Sequence, residues 1–232
     1  MNDILIVPDV HGRSFWLPAL DYSGEVIFLG DYVDPYPQEG VSVEEAYQAL
    51  LKIVKFKQEN PDRVVLLLGN HEMQYFNSDF GAGRFSRDYE MKFREILTGD
   101  ETKGLFQICK QIGKYLFIHA GLTKHWYDRH YDDFKDLGAT LEEQLTGVFF
   151  KKMRVYYEAG EIRGGWDKTG SPLWADYREF EEEELYKSSE LIQIIGHTQT
   201  GTPDPIITDK YWLLDNKQLY LLHNDAIEKY KV

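Results

Sequence analysis

Carboxylate, imidazole and amide side chains that suit a divalent cation recur at five places in this sequence: Asp9 and His11, Asp31 and Asp34, Asn70 and His71, His119, and His197. Each set follows at once on an apolar run that reads as a buried strand, over residues 4–7, 26–29, 64–68, 115–118 and 191–195. Strand ends place side chains along one edge of a sheet, so the five sets together read as one dinuclear metal site. Mixed oxygen and nitrogen donors suit manganese, iron or zinc, whereas calcium takes oxygen ligands alone. Singly, the sets differ in weight. Asp9-Val10-His11 also fits a helix cap or a loop hydrogen bond. Gly69-Asn70-His71-Glu72 carries a glycine that permits the sharp turn aiming two side chains out of the sheet edge.

The elements that must position these groups alternate between strand-like and helical patterns from the start to about residue 122, which predicts an α/β architecture. A helix begins at Ser42, where Ser42 and Glu45 have capping-box spacing and Val43, Ala46, Tyr47, Leu50 and Val54 form one apolar stripe. It ends before Asn60-Pro61. Two further helical stretches are expected over 88–97 and 105–112. Residues 123–186 read as a mainly helical and loop insertion over the site. It has a second capping box at Thr140 and Glu143, a helix to about residue 158, and the loop Arg163-Gly164-Gly165-Trp166. The acidic run 181–184 reads as a solvated helical face. Residues 211–214 and 219–222 flank Asp215-Asn216-Lys217-Gln218 as the two arms of an expected hairpin.

With 232 residues, 43% of them hydrophobic and 15% aromatic, the chain has the composition of an ordinary folded protein and fits one domain, 1–232. Its formal net charge of −13 weighs against a nucleic-acid duplex or an anionic membrane as partner. Cys109 is the single cysteine and reads as a small buried hydrophobe, which excludes an internal disulfide and suits a reducing compartment. There is no basic region leading into a long apolar core and no membrane-length apolar stretch, so a cytoplasmic location is expected.

In their order, the five sets resemble the motifs of the metallophosphoesterase (calcineurin-like) superfamily, most closely its phosphoprotein phosphatase branch and bacterial relatives. They stand here as Asp9-Val10-His11-Gly12, Gly30-Asp31-Tyr32-Val33-Asp34, Gly69-Asn70-His71-Glu72, His119-Ala120-Gly121 and Gly196-His197-Thr198, and so span most of the chain. The resemblance implies an α/β fold with a two-sheet β-sandwich flanked by helices, and a metal-dependent phosphatase using two divalent ions, manganese first, with iron or zinc as alternatives. Asp9 and His11 would hold one ion, Asn70, His119 and His197 the other, and Asp31 both, with a shared hydroxide attacking phosphorus. His71 would protonate the departing oxygen and Asp34 would orient that imidazole. Asn70 would also face the substrate. The implied substrate is a phosphorylated one: a phosphomonoester of the protein Ser/Thr type, or alternatively a dinucleoside polyphosphate cleaved at its anhydride. A third reading is a phosphate-binding module without turnover.

One departure from the family pattern bears on substrate. Phosphoprotein phosphatases continue the second motif with Arg-Gly, and that arginine grips phosphate through a planar fork. This chain has Pro35-Tyr36. Arg13, Arg163 and Arg178 are the candidates to replace it, the last because Leu173-Trp174-Ala175-Asp176 resembles the segment before a substrate-side arginine. His125, His130 and His223 have no partner at ligand spacing. Trp16, Trp126, Trp166 and Tyr36 read as core packing or as the lining of a pocket.

Overall fold

Apolar runs of four residues build the middle of both sheets. In the computed structural model, which describes residues 3–77 and 83–231, β1 (Ile4–Val7), β2 (Glu25–Phe28) and β3 (Val64–Leu67) lie parallel, with Ile4 opposite Glu25 and Val26 opposite Val64. Nearly every side chain in them is buried, which is why they read as continuous apolar runs and not as alternating ones. Between β2 and β3 comes α1 (Val43–Glu59). The Ser42 hydroxyl accepts the Glu45 N–H at 3.2 Å and the Glu45 carboxylate accepts the Ser42 N–H at 2.8 Å, closing the expected capping box. Ala46, Ala49, Leu50, Ile53 and Val54 form its buried face. After β3 come the short α2 (Asn70–Phe76), then α3 (Glu90–Thr98), entered through a 3-10 turn at Arg87–Tyr89.

Residues 105–112 are not helical. They form β4 (Phe106–Gln107) and β5 (Cys109–Ile112), and β5 pairs antiparallel with β6 (Tyr115–Ile118) from Cys109 opposite Ile118 to Ile112 opposite Tyr115. Gly113, at φ +57°, opens the two-residue turn that makes this hairpin. Cys109 is buried, and burial pushes its thiol well above the usual range.

Residues 123–186 hold α4 (Lys124–Phe134), α5 (Leu141–Lys152) and 3-10 turns at Met153–Tyr157, Glu161–Arg163 and Tyr177–Glu181. The helix expected to run to about residue 158 therefore leaves α geometry at Lys152. Thr140 caps α5 with Glu143 as the second capping box. Trp126, Phe134, Phe149 and Tyr156 are almost fully buried around these helices.

The chain then forms β7 (Ile192–Ile195), β8 (Ile206–Ile207) and β9 (Tyr211–Leu213), completing a five-stranded sheet of order β5-β6-β7-β9-β8. It ends with β10 (Tyr220–His223) and β11 (Ala226–Lys229), completing a six-stranded sheet of order β11-β10-β1-β2-β3-β4. The expected hairpin of 211–214 with 219–222 does not exist, because β9 and β10 belong to different sheets. β10 forms its hairpin with β11 instead, through Asn224 and Asp225 at φ +48° and +62°, the backbone a tight hairpin turn requires.

Two mixed sheets with flanking helices make this an α/β protein of the expected class. The chain divides into two compact units, Met1–Phe106 with Lys217–Val232, and Gln107–Asn216. Among the described residues no helix is long and apolar enough to cross a membrane.

Candidate active site

Because β1, β2 and β3 run parallel, the loops after them leave the same edge of the first unit's sheet. The first two loops carry Asp9 and His11, and Asp31 and Asp34, and the third leads into α2, whose first two residues are Asn70 and His71; all six are buried. Backbone hydrogen bonds tie the loops together. The N–H groups of Val10 and His11 both donate to the Asp31 carbonyl, at 3.0 and 2.7 Å, and the His71 N–H donates to Asp31 Oδ1 at 3.0 Å. His11, Asp31 and Asp34 sit at φ +44°, +52° and +55°. Left-handed backbone at non-glycine residues costs of order 1 kcal/mol or more each, and here it is held by the surrounding hydrogen bonds.

Glu72, the last residue of the Gly69-Asn70-His71-Glu72 motif and one to which the sequence assigns no role, is the fastener. Its fully buried carboxylate accepts the N–H of Asp31 at 2.9 Å, of Tyr32 at 2.8 Å and of Gly69 at 2.8 Å, joining the second loop to the start of α2. Gly69 is required by close approach: a Cβ there would lie 2.2 Å from Asp31 Oδ1 and 2.6 Å from Asp31 N.

The donors fit a divalent ion. His11 Nδ1 donates to the Val33 carbonyl at 2.7 Å, leaving the Nε2 lone pair directed at Asp31 Oδ2, 3.4 Å away. Burial pushes this imidazole down, against the pull of Asp31. A neutral imidazole and a carboxylate then face each other acceptor to acceptor, an arrangement a cation relieves. His11, Asp31 and His71 each offer one ligand atom, all within 4.8 Å of one another.

His71 differs from His11 in having both ring nitrogens engaged: Nδ1 with Asp34 Oδ2 at 2.9 Å and Nε2 with Arg84 Nη2 at 2.9 Å. Burial pushes the His71 imidazole down, but the Asp31 charge and the Asp34 hydrogen bond outweigh it and raise it overall. Asp34 is itself clamped, accepting Gln74 Nε2 at 2.5 Å and the Tyr75 hydroxyl. Burial and the Asp34 charge together push the Tyr75 phenol up. Gln74 and Tyr75 were missed in the sequence, although their spacing of three and four from His71 places all three on one face of α2.

In the second unit, His119 follows β6 and His197 follows β7, two parallel neighbours, so both imidazoles stand at one strand edge. His119 Nε2 and His197 Nδ1 are 3.1 Å apart, and the Gly196 N–H donates to the His119 carbonyl at 2.8 Å. His197 is another non-glycine residue with positive φ, +67°.

The three candidate arginines all lie on carboxylates. Arg13 Nε meets Glu39 at 2.6 Å while its Nη1 donates to the Asp9 carbonyl at 3.2 Å. Burial pushes Glu39 up, but Arg13 and Lys217 outweigh it and hold it at about 2. Arg163 Nε lies 2.8 Å from Asp176, with Nη2 donating to Thr198 Oγ1, and Arg178 grips both oxygens of Asp176 at 2.7 and 2.9 Å. Trp16 and Trp126 are core residues, whereas Trp166 is 97% exposed. His130 is buried between Glu158 and Asp133.

Known proteins resemble this chain in sequence and in fold. It is 27% identical over 169 residues to the serine/threonine-protein phosphatase SIT4 of Candida albicans, covering 64% of this chain and 48% of that one. It is 28% identical over 137 residues to serine/threonine-protein phosphatase 7 of Arabidopsis thaliana, covering 56% and 30%. The chain thus spans about half or less of the length of these curated relatives. Its fold is like that of the cold-active protein-tyrosine phosphatase of a psychrophilic Shewanella (TM-score 0.61, 16% identity, covering 100% and 81%). It is also like that of a serine/threonine phosphatase from Saccharomyces cerevisiae with similarity to human PP5 (TM-score 0.56, 16% identity, covering 99% and 80%). A family profile agrees over almost the whole length, residues 3–225, and on that match the chain belongs to the calcineurin-like phosphoesterase family.

Proposed function

We propose that this protein is a metal-dependent phosphohydrolase that cleaves phosphomonoesters, with phosphorylated protein as the favoured substrate class. What carries the reading is the His71–Asp34 pair set beside the buried donors His11 and Asp31, at 2.9 Å between His71 Nδ1 and Asp34. A module that only binds phosphate has no need of a proton donor held by a buried carboxylate. Family membership supports two divalent ions, manganese first. Asp9, His11 and Asp31, with Asn70 beside them, would be the metal donors of the first unit, and His119 and His197 those of the second. When bound, such ions supply Lewis acidity, polarising the phosphoryl group and making water acidic enough to attack at neutral pH.

The protein's own groups do the rest. His71 Nε2, which here accepts from Arg84 Nη2 at 2.9 Å, would take up a proton once that donor turns to the phosphoryl group, and would deliver it to the leaving oxygen as the phosphorus–oxygen ester bond breaks and the oxygen of water bonds to phosphorus. Asp34 fixes the ring through Nδ1 and stabilises the charged imidazole, and Gln74 and Tyr75 keep Asp34 in register.

The test is a substrate panel on metal-stripped protein resupplied with Mn2+: aryl phosphates, phosphopeptides, nucleotides and a dinucleoside tetraphosphate. Turnover of aryl phosphates and phosphopeptides is expected, abolished in Asp31→Asn. His71→Ala should lose far more rate on poor leaving groups than on p-nitrophenolate, since only poor ones need the proton. Turnover confined to nucleotides moves the assignment to anhydride cleavage. Phosphate binding without any hydrolysis moves it to the binding module.

A further inference from the structure

A phosphoryl group entering beside His71 needs a cation, and Arg13, Arg163 and Arg178 each lie on a carboxylate. Arg84 does not. It is half-buried, and among the described residues no carboxylate pairs with it. Its Cζ lies 3.7 Å from the centroid of the Tyr36 ring, a cation–π contact that holds the plane of the guanidinium. Nε donates to the Asp34 carbonyl at 3.0 Å and Nη2 reaches His71 Nε2 at 2.9 Å. Both contacts use the same edge of the fork. The Nη1–Nη2 edge carries no other hydrogen bond among the described residues, and a paired N–H edge of this kind matches two oxygens of a phosphate. The residue is held at φ +70°, left-handed backbone that an arginine rarely adopts.

We propose that Arg84, seated on the ring of Tyr36, binds the non-bridging oxygens of the substrate phosphoryl group, with Tyr36 as its positioning residue. The inference rests on the phosphoester reading. An oxyanion on Arg84 stands next to His71 Nε2, which accepts from Arg84 Nη2 at 2.9 Å, so one side chain both binds the phosphoryl group and sets its ester oxygen beside that imidazole. Pro35-Tyr36 thus places a ring after Asp34 as a platform, and the cation comes to it from thirteen residues beyond His71.

Two readouts on Mn2+-loaded protein test this: KM for p-nitrophenyl phosphate, and the Kd of inorganic phosphate by calorimetry. Arg84→Gln should raise both about tenfold or more, with a smaller change in kcat and an unchanged melting temperature. Arg84→Lys, which keeps the charge but not the fork, should fall between. Tyr36→Ala should resemble Arg84→Gln, and Tyr36→Phe, which keeps the ring, should restore both constants. If Arg84→Gln and Arg84→Lys both stay within twofold of wild type in phosphate Kd, the inference is overturned, whatever their turnover. If wild type binds phosphate but hydrolyses no ester, the phosphohydrolase reading falls and the phosphate Kd alone decides the role of Arg84. A wild type that binds no phosphate overturns both.

Discussion

A buried carboxylate ordinarily costs folding free energy unless each oxygen is met by donors, and on Glu72 backbone N–H groups meet both oxygens. Its Oε2 accepts from Gly69 and Asp31 at 2.8 and 2.9 Å, and its Oε1 accepts from Tyr32 at 2.8 Å. Glu72→Gln keeps the shape but turns an amide NH2 toward an N–H that needs an acceptor. The expected cost is about 1–3 kcal/mol in urea unfolding, with a loss of Mn2+ affinity because Asp31 is no longer held. An unchanged unfolding midpoint would show that the loops are fastened elsewhere. Asp34 carries the complementary burden, accepting from His71, Gln74 and Tyr75. In Asp34→Asn the amide offers one acceptor oxygen where the carboxylate offers two, so the His71 ring loses its fixed partner. Hydrolysis of poor leaving groups should fall about a hundredfold, with good leaving groups much less affected; equal losses on both would contradict the positioning role.

At the scale of elements, the start of α2 and the start of α1 make a useful contrast. Gly69→Ala forces a Cβ to 2.2 Å from Asp31 Oδ1, so both stability and metal binding should drop, whereas Ser42→Ala should cost only about 1 kcal/mol of stability and leave turnover alone. A Gly69→Ala protein with wild-type metal affinity would mean that the loop relaxes without moving Asp31. The same contrast explains what could be read from the sequence. β1 and β6 are legible to the residue because they are buried on both faces and so form unbroken apolar runs, and α1 is legible from its capping box. The run 105–112 misleads because its apolar spacing suits either period. The deciding signal was the Gly113-Lys114 turn into β6, which is tertiary in its consequence. Likewise Asp215 to Gln218 has turn composition, but β10, the strand after it, pairs with β1 and β11. The donor sets stood out as short contiguous motifs behind strands. Glu72, Gln74 and Tyr75 act through hydrogen bonds to loops some forty residues away in sequence, at separations of 40, 40 and 41, which no local pattern records.

At the scale of the whole molecule, the chain's end returns to complete the unit in which it began: β10 pairs with β1, placing Leu222 opposite Ile4, and Lys217 meets Glu39 at 2.6 Å. Glu39, held at about 2 by Arg13 and Lys217 against the pull of burial, titrates well below the unfolded value of about 4.3. Its folded form is therefore favoured above the unfolded value, and that stabilisation is lost as pH falls toward 2. The urea midpoint of wild type should fall between pH 5 and pH 3 more steeply than that of Glu39→Gln, and parallel profiles would contradict the linkage. In a chain with a net charge of −13, cations held among buried carboxylates and imidazoles should also stabilise the fold, by about 2.7 kcal/mol at a hundred times the dissociation constant. The most direct test of the account is equilibrium dialysis against Mn2+ paired with an aryl phosphate assay on the same samples. Two ions per chain are expected, fewer in Asp31→Asn, with turnover that vanishes in chelator and returns with metal. Turnover undiminished in chelator, or a chain that binds no Mn2+ yet hydrolyses the ester, would contradict it.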